Sequence, residues 1–158
     1  MNNISIYEKH NDWLTLIHYG NKLYDKTKVK PIKNAWVKPE GGLWTSPVWS
    51  DHSWKNWCED SDFRNNSEEL SFKLKFKDSK ILVIDSENDV LDLPNVKHDL
   101  QDILTFFDFE AIQKDYDAIW LTEPGEHKTR LCGRRTSLYG WDCESVLILN
   151  PDCCYQTL

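Results

Sequence analysis

Three residues of this 158-residue chain stand where a side chain could do chemistry: a histidine ending an apolar run, a tryptophan following two glycines, and a glutamate opening another apolar run. His18 lies near the end of Trp13-Leu-Thr-Leu-Ile-His-Tyr19, just before Gly20, where an imidazole with one donor and one acceptor can hold a ligand group in place. Trp44 follows Gly41 and Gly42, whose missing side chains let a ligand or another backbone come close to a flat, stackable indole. Glu144 opens the run Glu144-Ser-Val-Leu-Ile-Leu-Asn150 directly after a basic loop that contains Lys128, Arg130, Arg134 and Arg135. It and Glu123, each at the edge of an apolar run, are the two acids placed for catalysis. Taken singly, each residue also has a plain structural role: a rim histidine, a core tryptophan, a solvated strand end.

The elements that must carry these residues are short. Residues 13–19 alternate as a strand, with Leu14, Leu16 and His18 on one face and Thr15, Ile17 and Tyr19 on the other. Residues 21–40, rich in Lys and containing Pro31 and Pro39, read as loop, and 41–46 as a strand stopped by Pro47. Ser50 or Asp51 is the expected cap of a helix through Trp54, Trp57 and Cys58. Residues 70–76, with Leu70, Phe72, Leu74 and Phe76 inward, and 80–85 read as an antiparallel pair joined at 77–79. Helical spacing runs from about Val96 to Tyr116, a strand covers 117–122 and closes at Glu123-Pro-Gly125, a polar loop covers 126–140, and 144–150 is the last strand. The expected fold class is α+β: one domain over 1–158, with a mixed sheet of about six short strands and a few short helices.

Composition narrows the function. A formal charge of −7 argues against coating nucleic acid by bulk electrostatics, and leaves any such contact to the local basic loop. No apolar stretch is long enough to span a membrane and the first residues carry no leader pattern, so a soluble, cytoplasmic protein without membrane association is expected. The odd number of cysteines, five, suits neither a disulfide framework nor a zinc knuckle, so they are expected to be buried apolar residues and no metal is assigned. His10, His52, His98 and His127 are isolated in polar contexts and are expected at the surface. Five of the eight tryptophans fall between Trp36 and Trp57, as a dense core corner or the wall of a pocket. Hydrolase elbows, phosphate loops and zinc-protease motifs are missing from the sequence.

The order of the marked residues carries a resemblance. Leu16-Ile-His-Tyr-Gly20, then Gly42-Leu-Trp-Thr-Ser46 with Ser53-Trp-Lys-Asn-Trp57 behind it, then Glu144-Ser-Val-Leu-Ile-Leu-Asn-Pro-Asp152 resemble the H-Y-E arrangement of small ADP-ribosyltransferases of the diphtheria-toxin and poly(ADP-ribose) polymerase type. Tyr116-Asp-Ala-Ile-Trp-Leu121 is similar to the Tyr-Asp-Gly-Ile strand that often precedes the glutamate strand in that family. The chain departs from the pattern in having Trp44 where Tyr is usual and Tyr19 between His18 and Gly20.

The resemblance implies an ADP-ribosyltransferase-like split mixed β-sheet and transfer of ADP-ribose from NAD to a macromolecule, foremost a protein, with release of nicotinamide. It implies Glu144 as the carboxylate that stabilises an oxocarbenium-like centre, His18 as the residue that orients the ribose, and Trp44 as the ring that stacks on nicotinamide. His18, Tyr19, Gly20, Trp44, Ser46 and Trp54 are the implied NAD contacts. Arg130, Arg134, Arg135 and Asp142 form the implied acceptor loop, Asp142 standing where the arginine-modifying class carries Glu. NAD enters as a substrate, with no metal, and a compact acidic effector fits the size and charge. Two other readings stay open: a catalytically degenerate binding module on the same fold that engages a protein or nucleotide through its Trp-rich face, and NAD hydrolysis.

Overall fold

A computed structural model describes residues 14–97, 99–100, 106–130 and 138–158. Its centre is a seven-stranded mixed sheet. In chain order the strands are β1 (Thr15–Tyr19), β2 (Leu43–Pro47), β3 (Ser71–Phe76), β4 (Ile81–Ile84), β7 (Ala118–Leu121), β8 (Ser145–Ile148) and β9 (Cys154–Thr157), while β5 (Asn95–Val96) and β6 (Phe106–Phe107) form a separate small pair. Across the large sheet the order is β4-β7-β8-β2-β1-β3-β9. The β4–β7 pair is parallel and every other neighbouring pair is antiparallel. Among the described residues the α-helices are α1 (Trp54–Asp60), α2 (Phe109–Ile112) and α3 (Glu123–Arg130). The class is thus α+β, and no helix among the described residues is long and apolar enough to cross a membrane.

Burial explains the strand order. β7 and β8 are apolar at nearly every position because both their faces are covered. Leu16, Phe72, Leu74, Trp120, Val146 and Ile148 pack on one side; Ile119, Leu121, Leu147, Trp141, Phe109 and Ile112 pack on the other. Each such side chain removed from water contributes roughly 1.5–3 kcal/mol, so the centre of the sheet is its most stable part. Cys58, Cys143, Cys153 and Cys154 are all free and buried.

Several elements differ from the sequence reading. β3 and β4 do not pair; β3 lies between β1 and β9, whereas β4 sits at the far edge beside β7. The alternating β3 suits a sheet region covered on one side, and the continuously apolar β4 matches the doubly buried β7, so burial rather than the short connection sets the partners. Leu70, expected inward, is exposed in a 3-10 turn that precedes β3. Within the described part of 96–116 the expected helix is the single turn α2, capped by Asp108, and Phe106 and Phe107 pair with β5 instead; residues 98 and 101–105, with Ile103 and Leu104, lie outside the described residues. Ser53, not Ser50 or Asp51, caps α1 and accepts from the Asn56 amide.

Glu123-Pro-Gly125 opens α3 instead of closing a strand, so the expected loop from 126 begins as helix. Proline is compatible with a first helical turn because its missing amide proton has no helical acceptor there. β9 was not expected at all. Gly125 lets α3 lie against β4: a Cβ there would drive into the Ile84 carbonyl oxygen and stand 3.1 Å from the Asp85 Cα. Gly125→Ala is therefore expected to destabilise the fold by about 3 kcal/mol through overpacking against backbone. A urea midpoint unchanged from the parent would show that this contact relaxes freely.

Candidate functional site

The site begins where two strands part. β1 pairs with β3 along its whole length, yet with β2 it pairs only at Leu16–Pro47 and Ile17–Ser46. Beyond those pairs, the β1 end at Tyr19 and the β2 start at Leu43 are not in register. The His18 side chain takes over from the backbone ladder: its Nδ1 lies 2.8 Å from the Trp44 carbonyl oxygen. A carbonyl only accepts, so Nδ1 carries the proton and Nε2 of the neutral ring keeps its lone pair. Phe72 stacks on the same imidazole at 5.0 Å between centroids.

Beside this parting is a cleft of about 310 Å³, lined by Tyr19, Trp44 and Trp54, by His18, and by the charged residues Lys38, Arg64 and Asp142, with Cys143 and Ser145 beneath. Trp44 is braced edge-on by Trp141 at 4.6 Å, and the Lys38 ammonium lies 5.2 Å from the Trp44 ring centroid. Trp54 stacks on Trp57, and the Arg64 guanidinium lies 5.8 Å from the Trp54 ring. The walls are thus apolar and aromatic, with two cations and one carboxylate, which suits a ligand having flat rings and negative charge. The Tyr19 hydroxyl is engaged elsewhere, donating to Glu68 at 3.1 Å.

Burial holds the His18 imidazole below its ordinary pKa; the Trp44 carbonyl opposes that shift and the Arg64 charge adds to it. As pH falls, the unfolded chain takes up this proton before the folded one does. The contribution of His18 to stability is therefore complete above about 6.5, the ordinary value, and declines as pH drops from there through the lower folded pKa. His18→Asn keeps a donor toward the Trp44 carbonyl without the titration. The stability difference between parent and variant, from denaturation at pH 7.5 and pH 5, is expected to move against the parent at the lower pH.

Glu144 is placed differently. Strand alternation turns Cys143 and Ser145 to the cleft and Glu144 to the opposite face, beside Trp120. There its carboxylate is enclosed: Oε2 accepts from the Ser50 hydroxyl at 2.5 Å and Oε1 from Trp120 Nε1–H at 2.9 Å. Its backbone amide donates to the His52 carbonyl and its carbonyl accepts from the Ser46 hydroxyl. Burial raises the Glu144 pKa, while the Ser50 and Trp120 hydrogen bonds oppose the rise.

Of the residues marked in the sequence, the fold brings His18, Tyr19, Trp44, Trp54 and Asp142 to one cleft. Glu144, Ser46 and Gly20 do not line it. Ser46 is a brace, donating to the Glu144 carbonyl and accepting from the Trp54 amide. Gly20, at φ +124°, turns the chain away after β1. Arg130 pairs with Asp142 at 3.0 Å and with Glu126 at 3.0 Å, and its guanidinium packs on Tyr139. Arg134 and Arg135 lie outside the described residues.

Lys38, Arg64, Cys143 and Ser145 were not foreseen as cleft residues. Lys38 and Arg64 sit in polar loops, and nothing local in the sequence signals that these loops meet across β2. His127 is at the surface as expected and His52 is part-buried, but neither is isolated: the two rings stack at 5.3 Å beside the buried Glu126. No family model, curated protein or solved structure matches the chain.

Proposed function

We propose that this chain binds NAD in the cleft where β1 and β2 part and transfers its ADP-ribose to a macromolecular acceptor, foremost a protein, on an ADP-ribosyltransferase-like fold. The observation that carries the reading is the joining of His18 to the Trp44 carbonyl at the mouth of an aromatic cleft that also holds Lys38, Arg64 and Asp142. A cleft of about 310 Å³ suits the nicotinamide-ribose half of the dinucleotide. Nicotinamide stacks on Trp44, displacing the Lys38 ammonium toward the phosphates, and Arg64 offers a second cation to them. His18 Nε2, with its lone pair, accepts from a ribose hydroxyl.

In the reaction the bond from ribose C1′ to the nicotinamide nitrogen breaks, its electron pair leaves with nicotinamide, and C1′ becomes oxocarbenium-like. An acceptor nucleophile then bonds to C1′ and gives up its proton. A fixed negative charge near C1′ stabilises the cationic centre. In this cleft Asp142 supplies that charge: Arg130 holds its Oδ1, leaving its other oxygen to the ligand. Glu144, enclosed by Ser50 and Trp120, keeps the adjoining wall in place.

The enclosure of Glu144 is also the observation that favours a second reading, a binding module that holds a nucleotide without turning it over. Incubating the purified chain with NAD labelled in the adenylate and with a cell lysate separates the two. Label entering macromolecules supports transfer. NAD that binds without label transfer or nicotinamide release supports the module, and NAD that does not bind overturns the transfer reading.

A further inference from the structure

The histidines on the far side of Glu126 form a second group of functional side chains, outside the cleft. His52 stands before α1, and Glu126 and His127 stand on α3, so the donors come from two separate segments. Glu126 Oε2 lies 3.3 Å from His52 Nε2 and 3.4 Å from His127 Nδ1. Both contacts are long for hydrogen bonds between nitrogen and oxygen, which cluster near 2.9–3.0 Å. They match another geometry: donor atoms each about 2.0–2.1 Å from one tetrahedral ion stand about 3.3–3.4 Å apart. All three donor atoms lie within 4.8 Å of one another, and the exposed His127 is free to close the remaining edge.

The surroundings favour a cation. Glu126 is buried, at 4% side-chain exposure, and its other oxygen is fixed by Arg130 at 3.0 Å, which leaves Oε2 as the directed donor. Arg130 also pairs with Asp142, so two carboxylates share one guanidinium and the group keeps a net negative charge. Glu123 Oε1 lies 3.9 Å from the other nitrogen of His127, too far for a hydrogen bond but near enough to add negative charge beside the group. The His52 carbonyl is tied to the Glu144 amide, which anchors its segment to β8.

We propose that His52 Nε2, Glu126 Oε2 and His127 Nδ1 form a three-ligand site for a divalent transition metal of the zinc class, with its fourth position open to water or an exogenous donor. Two imidazoles and a carboxylate without thiolate suit Zn²⁺, and an open position is the mark of sites where the metal exchanges ligands. The site stands apart from the NAD reading and does not depend on it.

The 158-residue chain is freed of metal with a chelator and titrated with Zn²⁺ by calorimetry, then with Co²⁺ as a spectroscopic probe. Expected are one equivalent bound, visible bands of four-coordinate Co²⁺ without thiolate-to-cobalt charge transfer, and affinity weakened on the order of tenfold to a hundredfold or more in His127→Ala. His127 is 62% exposed, so that variant keeps its fold, which circular dichroism checks. Glu126→Gln is the second variant and is expected to weaken binding likewise. No stoichiometric binding, a thiolate signature from the cysteines, or unchanged affinity in His127→Ala overturns the proposal.

Discussion

On the proposed transferase reading, Asp142→Asn is expected to lower ADP-ribose transfer about 10²–10³-fold, the usual cost of removing one group that stabilises transition-state charge, while NAD binding changes far less. The substitution keeps the size of the side chain and one oxygen for Arg130, which retains Glu126 as its second partner. Loss of stability is therefore small and the defect resides in the chemical step. Since Asn cannot balance the positive charge that develops at C1′, the turnover number falls and KM is little moved. Single-turnover release of nicotinamide, with and without acceptor, measures this directly. Equal transfer by parent and Asp142→Asn would remove Asp142 from the mechanism. Loss of transfer in Glu144→Gln instead would assign the charge to Glu144, reached by a side-chain rotation that gives up Ser50 and Trp120.

Glu144→Ala is expected to destabilise the fold by about 3 kcal/mol, whereas Glu144→Gln costs under about 1 kcal/mol. Alanine removes the acceptor used by two buried donors, the Ser50 hydroxyl and Trp120 Nε1–H, and leaves a void between β8 and the Ser50 segment. Glutamine keeps an oxygen for Trp120, offers its amide to Ser50, and is neutral in a place where burial already raises the carboxyl pKa. For a chain of this length the alanine variant should melt about 10 °C lower. Thermal and urea denaturation of the two variants side by side is the measurement. Equal stability of alanine, glutamine and parent would mean that the enclosure contributes nothing to the fold.

These two outcomes divide the acids of Trp141-Asp-Cys-Glu144 by strand geometry. Residues two apart usually share a face, but here the irregular approach to β8 brings Asp142, Cys143 and Ser145 to the cleft while Glu144 turns to Trp120. Sequence spacing marked Glu144 as the start of the last buried run. It carried no information on which side of the sheet the cleft would open.

Much of the architecture could be read locally. The alternation of Phe72, Leu74 and Phe76, the buried and largely apolar runs of β7 and β8, and the turn after β1 each follow from the residues themselves, because side-chain burial in a strand depends on period and composition. His18 and Trp44 were marked by position: a polar ring closing an apolar strand, and an indole beside two glycines. Which strand meets which was decided by tertiary structure. β4 left its chain neighbour β3 for β7, and β9 joined β3, because matching buried faces outweighed short connections. Likewise Lys38 and Arg64 reached one cleft, and His52 met Glu126 and His127, only when segments far apart in sequence converged. Hydrogen bonds and charge pairing act over a few ångströms in space, whatever the separation along the chain, so no local pattern of residues could announce those meetings.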